Sequence, residues 1–208
     1  MPVEHRVLEI EEIEIRASGE SQEQRFVSGV GIVYNKEVEI WPGFREKIRN
    51  GAFSDTLKSG AEVKSFFNHD PNQVLATTKS NPALTIEDTD KGMRFEAPIP
   101  PTTYGKDLEI NLDRKNVRGA SFSFSVDDEG DIVTRDEKGV YHREIVKATI
   151  YEIGPVTNPA YPQTKVGLRS AEESYNEIQN RYKESENVVD TSDIELRKKS
   201  LYLLERGL

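Results

Sequence analysis

Few residues in this chain can do acid–base or nucleophilic chemistry. There are three histidines, His5, His69 and His142, and no cysteine. The lack of cysteine excludes thiol nucleophiles, disulfides and thiolate metal sites, and is compatible with a reducing compartment. Histidine titrates nearest neutral pH, so a general base is sought among these three. His69 stands apart. In "FFNHDPNQVLATT", residues 66–78, it closes an apolar run and precedes Asp70 and Pro71, where a strand gives way to a turn. His5 lies in a charged N-terminal strand. His142, in "GVYHREIV", sits mid-strand among charged neighbours and is expected to be solvated.

A nucleophile is sought in "RGASFSFSV", residues 118–126. Strand side chains alternate, so Ala120, Phe122, Phe124 and Val126 point one way, and Ser121, Ser123 and Ser125 the other. The aromatic face is expected in the core and the serine face toward solvent or a cleft. A serine hydroxyl is a weak nucleophile unless a base lies within hydrogen-bond reach and an acceptor orients that base. Asp70, Glu152 or another carboxylate can be that acceptor, and spacing along the chain does not choose between them. The stretch lacks the G-x-S-x-G of a nucleophile elbow, so a serine here acts from a strand. No H-x-x-H or H-E-x-x-H spacing and no Gly-rich phosphate loop is present, so neither metal nor cofactor is expected.

The elements that must hold these residues are mostly strands. At 208 residues, 35 % hydrophobic and 31 % charged, the chain can form one core with an appendage. Its net charge of -9 opposes a sequence-independent grip on nucleic acid. The N-terminal stretch has no uninterrupted apolar run, so no signal peptide is expected, and no segment approaches a membrane span. "VLEIEEIEIRA" and "RFVSGVGIVYN" read as strands, the second with a bulge or close packing at Gly29 and Gly31. "ALTIEDTDKGMRFEAPI" reads as a hairpin turning at "DTDKG". "SFSFSVDDEGDIVTRDEKGVYHREIVKATIYEI" reads as three strands divided by "DDEGD" and "RDEKG". Two helices are expected: "NGAFSDTLKSG", capped at Gly60, and "TTYGKDLEINLDRKNV", with Tyr104, Leu108 and Leu112 on one face. The pattern predicts a mainly β fold with flanking helices (α+β), closed or nearly closed into a barrel over residues 1–168. Residues 169–208 are proline-free and polar, and predict a charged helical or partly disordered tail. Ile194, Leu201 and Leu204 there recur at helical spacing, as a partner-binding segment would have them.

Four stretches, in order, resemble one family: "FREKIRNGAFSDTL" (44–57), "FFNHDPNQVLATT" (66–78), "RGASFSFSV" (118–126) and "YEIGPVTNPAYPQT" (151–164). The chain resembles the prohead, or capsid maturation, proteases of tailed bacteriophages, which are related in fold to the herpesvirus assemblins. The resemblance spans roughly residues 25–168. It implies a serine endopeptidase with His69 as base, Ser121 as nucleophile and Glu152 as the acidic third member. It implies as substrates the scaffold segment of the major capsid protein and the protease itself. It also implies a possible homodimer, and a place in the host bacterial cytoplasm inside the assembling prohead. Three positions depart from the family pattern: Ser123 and Ala76 where glycine is usual, and Gly154 where serine is usual. Two other functions remain open, a catalytically inactive assembly protein that keeps the protease fold and an unrelated β-barrel binding module.

Overall fold

A computed structural model describes residues 3–9, 13–18, 24–157 and 170–184. The strands in chain order are β1 (Glu4–Glu9), β2 (Glu14–Ser18), β3 (Gln24–Val33), β4 (Val38–Trp41), β5 (Phe44–Ile48), β6 (Lys64–Phe66), β7 (Val74–Thr77), β8 (Thr85–Asp88), β9 (Gly92–Pro98), β10 (Gly119–Val126), β11 (Asp131–Arg135), β12 (Tyr141–Ile145) and β13 (Ala148–Val156). Helix α1 is Ser54–Ser59 and α2 is Thr103–Asp113. Residues 170–184 are also helical. The fold is thus mainly β with flanking helices.

The closed or nearly closed barrel is not found among the described residues. The strands divide into three sheets, ordered β1-β10-β13-β6-β7, β11-β12-β5-β4 and β2-β3-β9-β8. Closure needs a continuous ring of paired edges, and each sheet here ends on edge strands. Side chains join the sheets instead. A Cβ added at Gly31 on β3 would lie 2.3 Å from Ile153 Cδ1 on β13 and 3.2 Å from Phe95 Cδ1 on β9. Glycine there lets the β3 backbone approach β13, and the β3–β9 register slips between Val30 and Ile32. The long segment read as three strands holds four, because the chain breaks pairing at Val146 and Lys147 between β12 and β13.

Both helices form where the sequence signals them. Gly60 ends α1 in the left-handed region at φ 67°, and its N–H donates to the Leu57 carbonyl. The Thr102 side chain caps α2 by accepting from the Gly105 N–H at 3.2 Å. Leu108 and Leu112 turn into the core, and the Tyr104 hydroxyl donates to the Val74 carbonyl at 2.7 Å.

Strand β10 is the centre of the body. Phe122 and Phe124 stack with centroids 5.4 Å apart, and Phe53 meets both edge-on. All three rings are buried, and truncating one costs roughly 3–5 kcal/mol. The opposite face of β10 differs from the sequence expectation. Ser121, Ser123 and Ser125 are 0 %, 4 % and 4 % exposed, so the serine face is covered.

The chain divides into two compact units, Met1–Ala171 and Glu172–Leu208. The first holds the three sheets. In the second, the described residues are helical to 184. Ile194, Leu201 and Leu204 lie outside the described residues. Among the described residues no helix is long and apolar enough to cross a membrane.

Candidate active site

The histidine of residues 66–78 is presented by a turn. Strand β6 ends at Phe66, and Asn68 and His69 both adopt left-handed backbone, φ 56° and 60°. Asparagine tolerates this conformation. A histidine in it is strained by roughly 1–2 kcal/mol. Hydrogen bonds offset that cost. The Asn68 N–H donates to the Pro155 carbonyl at 3.1 Å, and Asn68 Oδ1 accepts from the Thr157 N–H at 2.9 Å. The Phe67 N–H reaches the Gln73 carbonyl and the Asp70 N–H returns to Phe67. Asp70, one of the carboxylates left open by spacing, organises this turn. It accepts from the Asn72 N–H at 2.9 Å, from Asn72 Nδ2 at 3.0 Å and from Gln73 Nε2 at 3.0 Å. These donors, the Asn72 N–H first, hold its carboxyl below the ordinary value.

The turn delivers the ring to two partners. His69 Nδ1 lies 2.9 Å from Glu152 Oε1 and His69 Nε2 lies 2.5 Å from Ser121 Oγ. The structure therefore brings His69, Ser121 and Glu152 together from β6–β7, β10 and β13. A carboxylate only accepts, so Nδ1 carries the proton toward Glu152 and Nε2 is left to accept from the serine. Ser121 Oγ also donates to the Arg6 carbonyl on β1 at 2.8 Å. One hydroxyl proton thus has two acceptors, one that activates the oxygen and one that does not.

Register sets this arrangement. On β10, Ser121 faces Gly154 of β13 and Val7 of β1, and Ser123 faces Glu152 and His5. Directly opposed residues share a face, so His5, Ser123 and Glu152 form a row beside Ser121. Gly154 has its own reason to be glycine. A Cβ there would come within 2.4 Å of the Phe66 carbonyl oxygen and 3.0 Å of Ser65 Oγ. The missing side chain lets the end of β6, and with it the His69 turn, close onto β13.

The histidines not chosen from the sequence behave differently from one another. His142 is paired at the surface, Nδ1 2.8 Å from Glu37 Oε1 and Nε2 3.5 Å from Asp136 Oδ2, remote in character from the serine cluster. The sequence marks His5 only as part of a charged strand. Its ring packs against that of His69, centroids 5.2 Å apart and planes at 85°. No local pattern announces it; the signal is the β1–β10 register, which one strand's sequence does not carry. Among the described residues no cluster of three or more His, Asp or Glu is arranged to hold a metal.

A histidine between a serine hydroxyl and a carboxylate is the constellation of serine hydrolases. A family model described as caudovirus prohead serine protease matches residues 11–180, and the chain belongs to that family. Among solved structures, the capsid assembly protease gp21 of bacteriophage T4 is similar, with TM-score 0.50 and 11 % identity, covering 76 % of this chain and 99 % of that one. At that identity the likeness is one of fold. No curated protein matches.

Proposed function

We propose that this chain is a serine endopeptidase of phage capsid maturation in which Ser121 is the nucleophile, His69 the general base and Glu152 the residue that orients it. The observation carrying this reading is the pair of contacts on one ring, 2.9 Å to Glu152 and 2.5 Å to Ser121. His69 Nε2 takes the hydroxyl proton as Ser121 Oγ attacks a peptide carbonyl. Glu152, held against Nδ1, stabilises the imidazolium that forms. The tetrahedral intermediate collapses as Nε2–H protonates the leaving amine, giving an acyl-enzyme. Water then attacks with His69 again as base, and Ser121 is released with its proton. The substrates are the scaffold segment of the major capsid protein and the protease's own chain, met inside the assembling prohead. Residues 1–168 form the protease domain. Residues 169–208 are a tail whose removal leaves a folded domain, checked by cooperative thermal unfolding of a chain truncated after Leu168.

A second reading has an observation in its favour. Ser121 has no exposed surface and bonds the Arg6 carbonyl, as an inactive assembly protein retaining the fold would allow. Under the enzyme reading the same facts describe a closed resting state that opens locally to admit a peptide. A fluorophosphonate, which phosphonylates an activated serine, separates the two. Labelling of the folded chain that Ser121→Ala and His69→Ala each abolish supports the protease. Absence of labelling in folded, assembled protein supports the inactive one.

A further inference from the structure

We infer that His5 is a positioning residue for His69, holding the base in line between Ser121 and Glu152; this rests on the protease reading above. The two hydrogen bonds of His69 lie near opposite ends of its ring, so they leave tilt about the line joining them unopposed. Backbone preference does not supply the missing restraint, because His69 sits at φ 60° on a turn. The ring of His5 packs against that of His69, at 85° with centroids 5.2 Å apart. His5 is itself held. It lies on β1 opposite Ser123, and its backbone N–H donates to Ser170 Oγ at 3.2 Å.

The identity of the residue matters beyond its shape. His5 Nδ1 is buried with no hydrogen-bond partner among the described residues. An apolar ring would fill the place without leaving a nitrogen unpaired, so histidine here is a stability cost of the kind found at functional sites. The charged groups that act on it are His69 and Glu152 on its own face and Arg6 from the other face of β1. Burial first, then the His69 and Arg6 charges, lower its pKa below the usual 6.5, against an opposing pull from Glu152. The lowered pKa favours the neutral form of His5. That matters because His69 becomes a cation in the transition state, and a second cation beside it would raise the barrier. Protonation of His5 in acid therefore removes activity in addition to the protonation of the base itself.

The test is the rate of fluorophosphonate labelling against pH on the full chain, with folding checked by circular dichroism and Ser121→Ala as blank. His5→Ala should lower the plateau rate by about tenfold to a hundredfold, the scale of a misplaced catalytic group. His5→Phe, which restores a ring but not a titrating one, should recover to within a few-fold. The wild-type acid limb should steepen toward a slope of two at its lower end, and that of His5→Phe should stay at one. His5→Ala labelled at the wild-type rate or faster overturns the proposal, the faster outcome marking β1 as a mere cover over Ser121. Should His5→Ala fail to fold, a His5→Phe limb as steep as wild type overturns it alone. Wild type labelled no better than Ser121→Ala instead removes the protease reading, and the role of His5 with it.

Discussion

Strand β1 passes through two buried polar clusters, and its alternation sorts them. Glu4 and Arg6 point to one face. Arg6 Nε and Nη2 meet Glu46 at 2.6 and 2.8 Å, and Arg6 Nη2 meets Glu4 at 2.5 Å. Arg143 Nη1 bonds Glu4 and Glu46 at 2.8 and 3.1 Å, and its Nε bonds Asp131 at 2.7 Å. His5 points to the other face, toward His69. In the ion network every charge has an opposite partner, Glu4 and Glu46 each bond both guanidiniums, and both guanidinium pKa values are raised by those carboxylates despite desolvation. In the serine cluster one proton has two acceptors, one nitrogen has none and one backbone is strained. A fully satisfied polar cluster holds β1 to β5, β11 and β12. An incompletely satisfied one retains groups free to change partners, as proton transfer requires.

This contrast predicts that the clusters fail in different currencies. Ser121→Ala should reduce cleavage or labelling by about three or more orders of magnitude. Its unfolding free energy in urea should move by only about 1 kcal/mol, the value of one hydrogen bond. A large stability loss in Ser121→Ala would erase the distinction. Arg143→Met should do the reverse. Removing it leaves Glu4, Glu46 and Asp131 short of a buried cation, which costs roughly 3–5 kcal/mol. The folded fraction should still label at Ser121 within a few-fold. Urea unfolding that finds Arg143→Met as stable as wild type would show that the network does not hold β1.

Gly154 sharpens the comparison because it acts on geometry without touching charge. Gly154→Ser places a Cβ 2.4 Å from the Phe66 carbonyl oxygen, so β6 must retreat and carry the His69 turn away from Ser121. The expected result is a labelling rate lower by about tenfold to a hundredfold with the nucleophile intact. Unchanged kinetics in the folded variant would mean that β6 yields without moving His69.

What the sequence made legible follows from range. His69, Ser121 and Glu152 each sit in a stretch that resembles a family motif, so the resemblance joins three residues that lie far apart along the chain. The cap at Gly60 and the bulge or close packing at Gly31 are local signals and are readable for that reason. His5 lies outside residues 11–180, the part matched by the family model, and its contact depends on which strand β1 pairs with. Nothing local marks Glu4, Arg6, Glu46, Asp131 and Arg143 for burial, since burial of an ion is decided by partners from other strands. Closure into a barrel, which the described residues do not show, is a matter of the same range: alternation predicts strands but not how many sheets they share. The pattern puts the serine face of β10 toward solvent or a cleft because small polar residues usually lie there, whereas the pairing of β10 with β1 and β13 and the His69 turn cover it.

The smallest effect belongs to His142, the histidine outside both clusters. Its pKa is raised, first by the hydrogen bond to Glu37 and then by that to Asp136. A raised folded-state pKa means that the stabilisation is complete below the unfolded value near 6.5 and is lost as pH rises through the folded value. Glu37 is lowered chiefly by His142, and Asp136 chiefly by the Val140 N–H, so their share is present above their unfolded values and lost in acid. The pairing is therefore strongest between about pH 4.5 and 6.5. The ring is 29 % exposed in its side chain, and an ion pair at such a surface contributes roughly 0.2–1 kcal/mol. His142→Ala should lower the urea midpoint slightly at pH 5.5, converge on wild type near pH 8.5, and leave the labelling rate of Ser121 unchanged throughout. A stability deficit equal at both pH values would mean that the ring contributes by packing rather than charge. A lost labelling rate would give His142 a part in the site that its surface pairing with Glu37 and Asp136 does not suggest.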